Sequence, residues 1–265
     1  NTFISNEVKD GSYSFFAEGV GSSNPASGNT FLSNHMSGGY DYAFNAEYQD
    51  SLILNDNHIE VSDKGSTSYS LELDDVYEGT EVRRNYILVK GSNDTRGIYL
   101  TGVEGKAGNP VKIINNMIVQ SKGSGDARGI YLNYSEYVDI YYNTVSINAG
   151  TASNYTAAFY CYGSSSDPAN NLNVANNNFV NMNQGWAIKI EDDVVSAAAL
   201  DTFNHNNLYT TGTALGEYND VTINDLNALQ TQSGTNSNSV SVNPMFVSNT
   251  NLHVNAALLN ANAMP

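Results

Sequence analysis

The chain has 265 residues, 27 acidic against 11 basic side chains for a formal charge of −16, and one cysteine. That balance excludes a general nucleic-acid binder, which needs a basic footprint, excludes an internal disulfide, and counts against an anionic polysaccharide unless cations bridge the two. No stretch approaches the roughly 18 consecutive apolar residues of a membrane-spanning helix, so insertion into a membrane is not expected.

In chain order, the first clear pattern is apolar-x-x-Asn-x-apolar. It occurs seven times: Phe31/Asn34/Met36, Leu54/Asn57/Ile59, Val82/Asn85/Ile87, Ile113/Asn116/Ile118, Ile140/Asn143/Val145, Val174/Asn177/Phe179 and Phe203/Asn206/Leu208. The asparagines are 23, 28, 31, 27, 34 and 29 residues apart, a period that marks a repeat architecture. A second motif keeps step with it: Leu71-Glu72-Leu73, Ile98-Tyr99-Leu100, Ile130-Tyr131-Leu132, Phe159-Tyr160-Cys161 and Ile188-Lys189-Ile190. This alternation predicts strands buried on one face. A helical apolar spacing never persists; its nearest candidate, Val194 to Leu200, is short.

Each unit therefore reads as two or three short strands that stack in register on the next unit. The predicted fold class is all-β, a parallel β-helix solenoid. Asparagine is normally depleted in strands. It suits a sharp bend, because it tolerates the left-handed backbone conformation and its amide can bond the asparagine one coil away, roughly 4.8 Å along the sheet. Asn34, Asn57, Asn85, Asn116, Asn143, Asn177 and Asn206 are thus expected to form a structural ladder and carry no catalysis.

With these motifs the chain resembles the right-handed parallel β-helix proteins of the pectate-lyase-like superfamily, over roughly residues 25–262. Asn243-Pro244-Met245-Phe246-Val247, Asn251-Leu252-His253-Val254 and Leu259-Asn260-Ala261 resemble the closing coil of secreted bacterial β-helix repeat proteins. Those read Asp/Asn-Pro-x-Phe, Leu-His-Leu and Pro-Ala-x-Asn-Ala; here Ala257-Leu258 stands where Ser-Pro is common. The expectation is one right-handed domain over 1–265 of about seven to eight coils, with 1–25 as N-terminal cap and first partial coil, and 240–265 as closing coil and C-terminal cap. The resemblance and the acidic, Asn/Ser/Thr/Gly-rich composition both point to an extracellular or cell-surface bacterial protein, part of a larger polypeptide.

Lyases of this superfamily use a Lys or Arg base near Ca²⁺. The chain lacks the Arg-x-Pro-x-x-Arg of pectate lyases and the Asn-Thr-Asp, Gly-His-Gly and Arg-Ile-Lys of polygalacturonases, so no catalytic residue is assigned. Asp192-Asp193 is an acidic pair whose side chains point to opposite faces if it lies in a strand. Cys161 occupies an inward slot as a small hydrophobe. His35 and His58 follow ladder asparagines and can stack, but two ligands do not make a zinc site. No cofactor is expected; the clusters Glu72/Asp74/Asp75/Glu78 and Glu191/Asp192/Asp193 could hold surface Ca²⁺ through oxygen ligands.

One outward column remains, Glu72, Tyr99, Tyr131, Tyr160 and Lys189, with Arg96, Arg128 and Trp186 along its margin. Asp94-Thr-Arg96-Gly97 and Asp126-Ala-Arg128-Gly129 recur at one phase. They read as an Asp/Arg ladder or as a paired-arginine site for a carboxylate or sulfate. Stacked tyrosines serve either as sheet contacts or as an exposed glycan platform. The functional expectation is a non-catalytic module for adhesion, glycan contact or spacing, with a glycan or another surface protein as partner. The alternative is a polysaccharide lyase or glycoside hydrolase with an unrecognised site.

Overall fold

A computed structural model describes residues 1–62, 67–164, 169–191, 200–256 and 259. Three sheets, of 8, 8 and 10 strands, run side by side as a parallel β-solenoid of about 7 turns. One coil shows the unit. Val111–Ile114 lies in the first sheet, Met117–Gln120 in the second and Ala127–Asn133 in the third; Glu136–Tyr141 then returns to the first sheet and pairs in parallel with Val111–Ile114. The period-two pattern of the sequence puts one side of every strand inside, where like stacks on like. Ile113 sits against Ile140 and Val82, Ile118 against Val145 and Ile87, and Ile130 against Phe159 and Ile98. All nine are fully buried in one continuous core. Cys161 belongs to it, stacked on Leu132, and burial raises its thiol pKa far above the ordinary value.

The asparagines form a continuous ladder at the corner between the first and second sheets. Each Nδ2 donates to the Oδ1 of the next at about 3.0 Å, from Asn34 through Asn57, Asn85, Asn116, Asn143 and Asn177 to Asn206. The other amide hydrogen bonds a carbonyl of the preceding coil, as Asn143 does with Ile113. The ladder extends one rung further than expected, because Asn6 donates to Asn34 at 2.9 Å. Its last rung ends on Ser239, whose hydroxyl accepts the backbone N–H of Asn206.

The left-handed conformation is displaced from the expected place. It falls on the residue before each ladder asparagine: Ser5, Ser33, Asp56, Arg84, Asn115, Tyr142, Asn176 and His205, with φ between 55° and 60°. The ladder asparagine resumes an extended path, and its role is hydrogen bonding alone. A tyrosine pays more for this backbone conformation than asparagine does. Tyr142→Asn, copying Asn115 and Asn176 at the same phase, should therefore stabilise the fold by about 0.5 kcal/mol, read as a higher urea midpoint.

At the N-terminal end, residues 2–18 supply one strand to each sheet, in register with the next coil at Phe3↔Phe31, Val8↔Met36 and Phe15↔Phe44. This is a full coil in place of the expected partial one. At the other end the third sheet finishes in a hairpin, Gly216–Tyr218 with Val221–Ile223, turned by Asn219 and Asp220, both at positive φ. The chain then forms a helix over Leu226–Ser233 that sequence periodicity does not reveal. Asp225 caps it by accepting from the Ala228 N–H at 2.8 Å, Gly234 ends it in the left-handed region, and Leu229 is buried in the core. Residues 240–256, expected as a closing coil, return along the outside of the second sheet. Val240 pairs with Asn207, and Leu252 and Phe246 pack on Leu88, Val119, Tyr86 and Met117. Asp192, Asp193, Ala257, Leu258, Asn260, Ala261 and most of the Val194–Leu200 segment lie outside the described residues.

A candidate ligand-binding face on the third sheet

The third sheet is the widest, and its outer face carries two neighbouring columns. One reads Tyr13, Tyr42, Tyr69, Arg96, Arg128, Ala157, Trp186; the other reads Phe16, Asn45, Glu72, Tyr99, Tyr131, Tyr160, Lys189, Glu217. Tyrosine occupies the first column in the early coils and the second in the later ones. The rings cross between columns where Tyr69 meets Tyr99 at 5.6 Å, making an unbroken stack of six: Tyr13, Tyr42, Tyr69, Tyr99, Tyr131 and Tyr160. The other four spacings are 4.7–4.8 Å, the interval between strands. Half of this row, Tyr13, Tyr42 and Tyr69, was missed in the sequence, although each stands two residues before an inward apolar residue, as Arg96, Arg128 and Trp186 do.

The stack changes what the row can offer. Three of the five ring pairs lie nearly parallel, at 5° for Tyr13–Tyr42, 12° for Tyr42–Tyr69 and 21° for Tyr99–Tyr131, while Tyr69–Tyr99 and Tyr131–Tyr160 tilt by 36° and 33°. Their faces are largely covered by one another and by the guanidiniums of Arg96 and Arg128, so a ligand meets chiefly ring edges and hydroxyls. Burial and the neighbouring Tyr99 push the Tyr131 phenol up to about 12, so it is a neutral donor at physiological pH. Part of the row is also less open than expected: Tyr160 and Lys189 are each 4% exposed and Arg96 is 9% exposed. Tyr160 donates to Glu191 at 2.5 Å, and Lys189 pairs with Glu191 and Glu217.

The two arginines share the first column rather than a loose margin. Arg128 lies 4.7 Å from the Tyr131 ring and 4.6 Å from the Tyr160 ring, while Arg96 lies 5.9 Å from Tyr69 and 5.8 Å from Tyr131. The Asp/Arg ladder expected from the repeated tetrapeptides does not form. Asp94 accepts the Asp126 backbone N–H, and Asp126 accepts the hydroxyls of Thr151 and Ser153. Each carboxylate thus spends one oxygen on loop geometry.

Toward the N-terminal end the same face turns acidic. Glu72, Asp74 and Glu47 project from neighbouring strands. Burial, reinforced by Asp74 and Glu47 and opposed by hydrogen bonds from Asn45 and Tyr42, pushes Glu72 from its ordinary 4.5 up to about 7. Of the other residues considered for Ca²⁺, Glu78 pairs with Lys106. Among the described residues the acidic groups close enough to share a cation are Glu191, Glu217 and Asp220, and Lys189 already bridges two of them. His35 and His58 stack at 4.5 Å, and the next residue in their column is Tyr86, which supplies no imidazole. A separate shallow groove of about 500 Å³ lies outside the first sheet, lined by Lys106, Tyr137, Asp139, Asn173 and Asp201 among others.

No family model matches this chain, and no curated protein or solved structure compared with it gives a significant match.

Proposed function

We propose that this chain is a non-catalytic β-helix module of a secreted or cell-surface bacterial protein that contacts a glycan through the outer face of its third sheet. The observation that carries the reading is the unbroken row of six tyrosines, which lays phenol groups along one strip at the strand spacing. Tyr42 and Tyr160 already bond Glu72 and Glu191, so the phenols of Tyr69, Tyr99 and Tyr131 are the donors that suit a polyhydroxylated chain, and the flanking guanidiniums add further donors. Each contact is modest, so a single face binds weakly and gains from display in many copies.

A glycan array with the wild-type protein tests the reading, followed by Tyr131→Phe. That substitution keeps the ring stack and removes one hydroxyl. It should weaken binding by roughly 3–10-fold, the worth of about one hydrogen bond, and leave the melting temperature unchanged. Unaltered affinity in Tyr131→Phe and in the Tyr99/Tyr131 double phenylalanine variant would show the row to be sheet packing.

A second reading, polysaccharide lyase or glycoside hydrolase, draws on Glu72. A carboxyl held near neutrality on the same face as a glycan strip has the protonation needed of a general acid. New reducing ends or unsaturated products from a polysaccharide panel, abolished in Glu72→Gln, would establish it.

A further inference from the structure

Seven basic side chains of this acidic chain are neutralised locally among the described residues. Lys9, Arg83, Arg84, Lys90, Lys106, Lys112 and Lys189 each pair with a carboxylate. Arg96 and Arg128 differ from these: neither is ion-paired among the described residues. Each makes one hydrogen bond to a backbone carbonyl, Arg96 to Thr95 at 3.3 Å and Arg128 to Tyr155 at 3.3 Å. A guanidinium carries five N–H donors. The two are register partners on adjacent strands, so like charges sit one strand spacing apart. Desolvation and the neighbouring Arg128 both lower the Arg96 pKa from its ordinary value. Aromatic edges and faces soften the repulsion but supply no counter-charge. Arg96 is buried and Arg128 half-buried. Asp94 opposes the lowering of the Arg96 pKa only from a distance, with one oxygen taken by the Asp126 N–H and no ion pair formed, so the pair is under-compensated, which is costly.

We propose that the missing counter-charge comes from the ligand: the Arg96–Arg128 pair makes this face a receptor for an acidic glycan, one bearing carboxylate or sulfate groups. Arg128, the more accessible of the two, takes the oxyanion through its free N–H groups. Arg96, buried beside the Tyr69 and Tyr131 rings, adds positive potential. This reverses the expectation from net charge, because a ligand oxyanion senses the local pair more strongly than distant screened carboxylates. The glycan part rests on the function proposed above; the oxyanion site does not.

The test uses the full chain with a chelator present, to remove cation bridging. The probes are a chondroitin sulfate hexasaccharide, trigalacturonate, neutral cellohexaose and inorganic sulfate. Calorimetry gives affinity, and the arginine Nε–Hε NMR signals report the site. At least one acidic oligosaccharide should bind about tenfold or more tightly than cellohexaose, with the preferred one naming the anionic group. Arg128→Gln should lose about tenfold of that affinity. Arg84→Gln, an equal charge change at an exposed pair, should not. Equal affinity for cellohexaose and the acidic probes overturns the acidic-ligand inference and leaves the glycan reading intact. Inorganic sulfate shifting the Arg128 signal while no oligosaccharide binds keeps the oxyanion site and removes the glycan reading. If no probe moves Arg128, both fall.

Discussion

Asn143→Leu should destabilise the protein by about 3–5 kcal/mol, several times the median cost of a substitution. Asn143 is fully buried and holds five hydrogen bonds: its Oδ1 accepts the backbone N–H and Nδ2 of Asn116, and its Nδ2 donates to the Ile113 and Tyr141 carbonyls and to Asn177 Oδ1. Leucine matches the size but strands the Asn116 backbone N–H and one Asn116 amide hydrogen, each costing about 1–3 kcal/mol before local relaxation, although Asn177 Oδ1, Asn116 Nδ2 and the Tyr141 carbonyl each keep another partner. The backbone contributes nothing to the loss, since the left-handed residue at this corner is Tyr142. Urea denaturation checks it; a shift below about 1 kcal/mol would mean that the ladder is not under tension at this rung.

The second large effect depends on pH. Glu72 ionises near 4.5 in the unfolded chain and at about 7 in the fold. Between these values the folded state holds a proton that the unfolded state has released, so stability falls as pH rises from about 4.5 to about 7 and the penalty is complete above. The full penalty is about 3 kcal/mol at most. Glu72→Gln removes the charge and keeps an acceptor for the Asn45 amide, which now donates to Glu72 at 2.5 Å. The variant should thus be more stable than wild type at pH 8 by about 2–3 kcal/mol and equal to it below pH 4.5. Asp74 and Glu47, also raised chiefly by burial, slope the same way in both proteins. A constant difference across pH would show that Glu72 is ionised throughout.

The solenoid was readable because stacking forces each coil to repeat one residue class at one phase. The ladder asparagines and the inward Ile98, Ile130 and Phe159 announce themselves at intervals that loops of varying length do not erase. An eighth copy, Phe3/Asn6/Val8, was legible too, and its omission turned a full coil into an expected cap. The candidate binding face was only half legible. Alternation gives the side on which Tyr99 lies, but the crossing from Tyr69 to Tyr99 and the burial of Arg96 and Tyr160 depend on neighbouring coils. Sequence spacing likewise put Asp94 beside Arg96 without showing that its carboxylate is taken by the Asp126 N–H. The C-terminal return was hinted at by Ile87-Leu88-Val89, three apolar residues in succession where a strand wet on one side would alternate.

The central claim, that ligand binds on the outer face of the third sheet, is tested most directly by mapping amide and side-chain NMR shifts as the best glycan from the array is titrated. The predicted result is a contiguous set of changes along Tyr69, Tyr99, Tyr131 and Arg128, with the first-sheet groove at Asp139, Asn173 and Asp201 unchanged. Changes centred on that groove, with the tyrosine row silent, would contradict it.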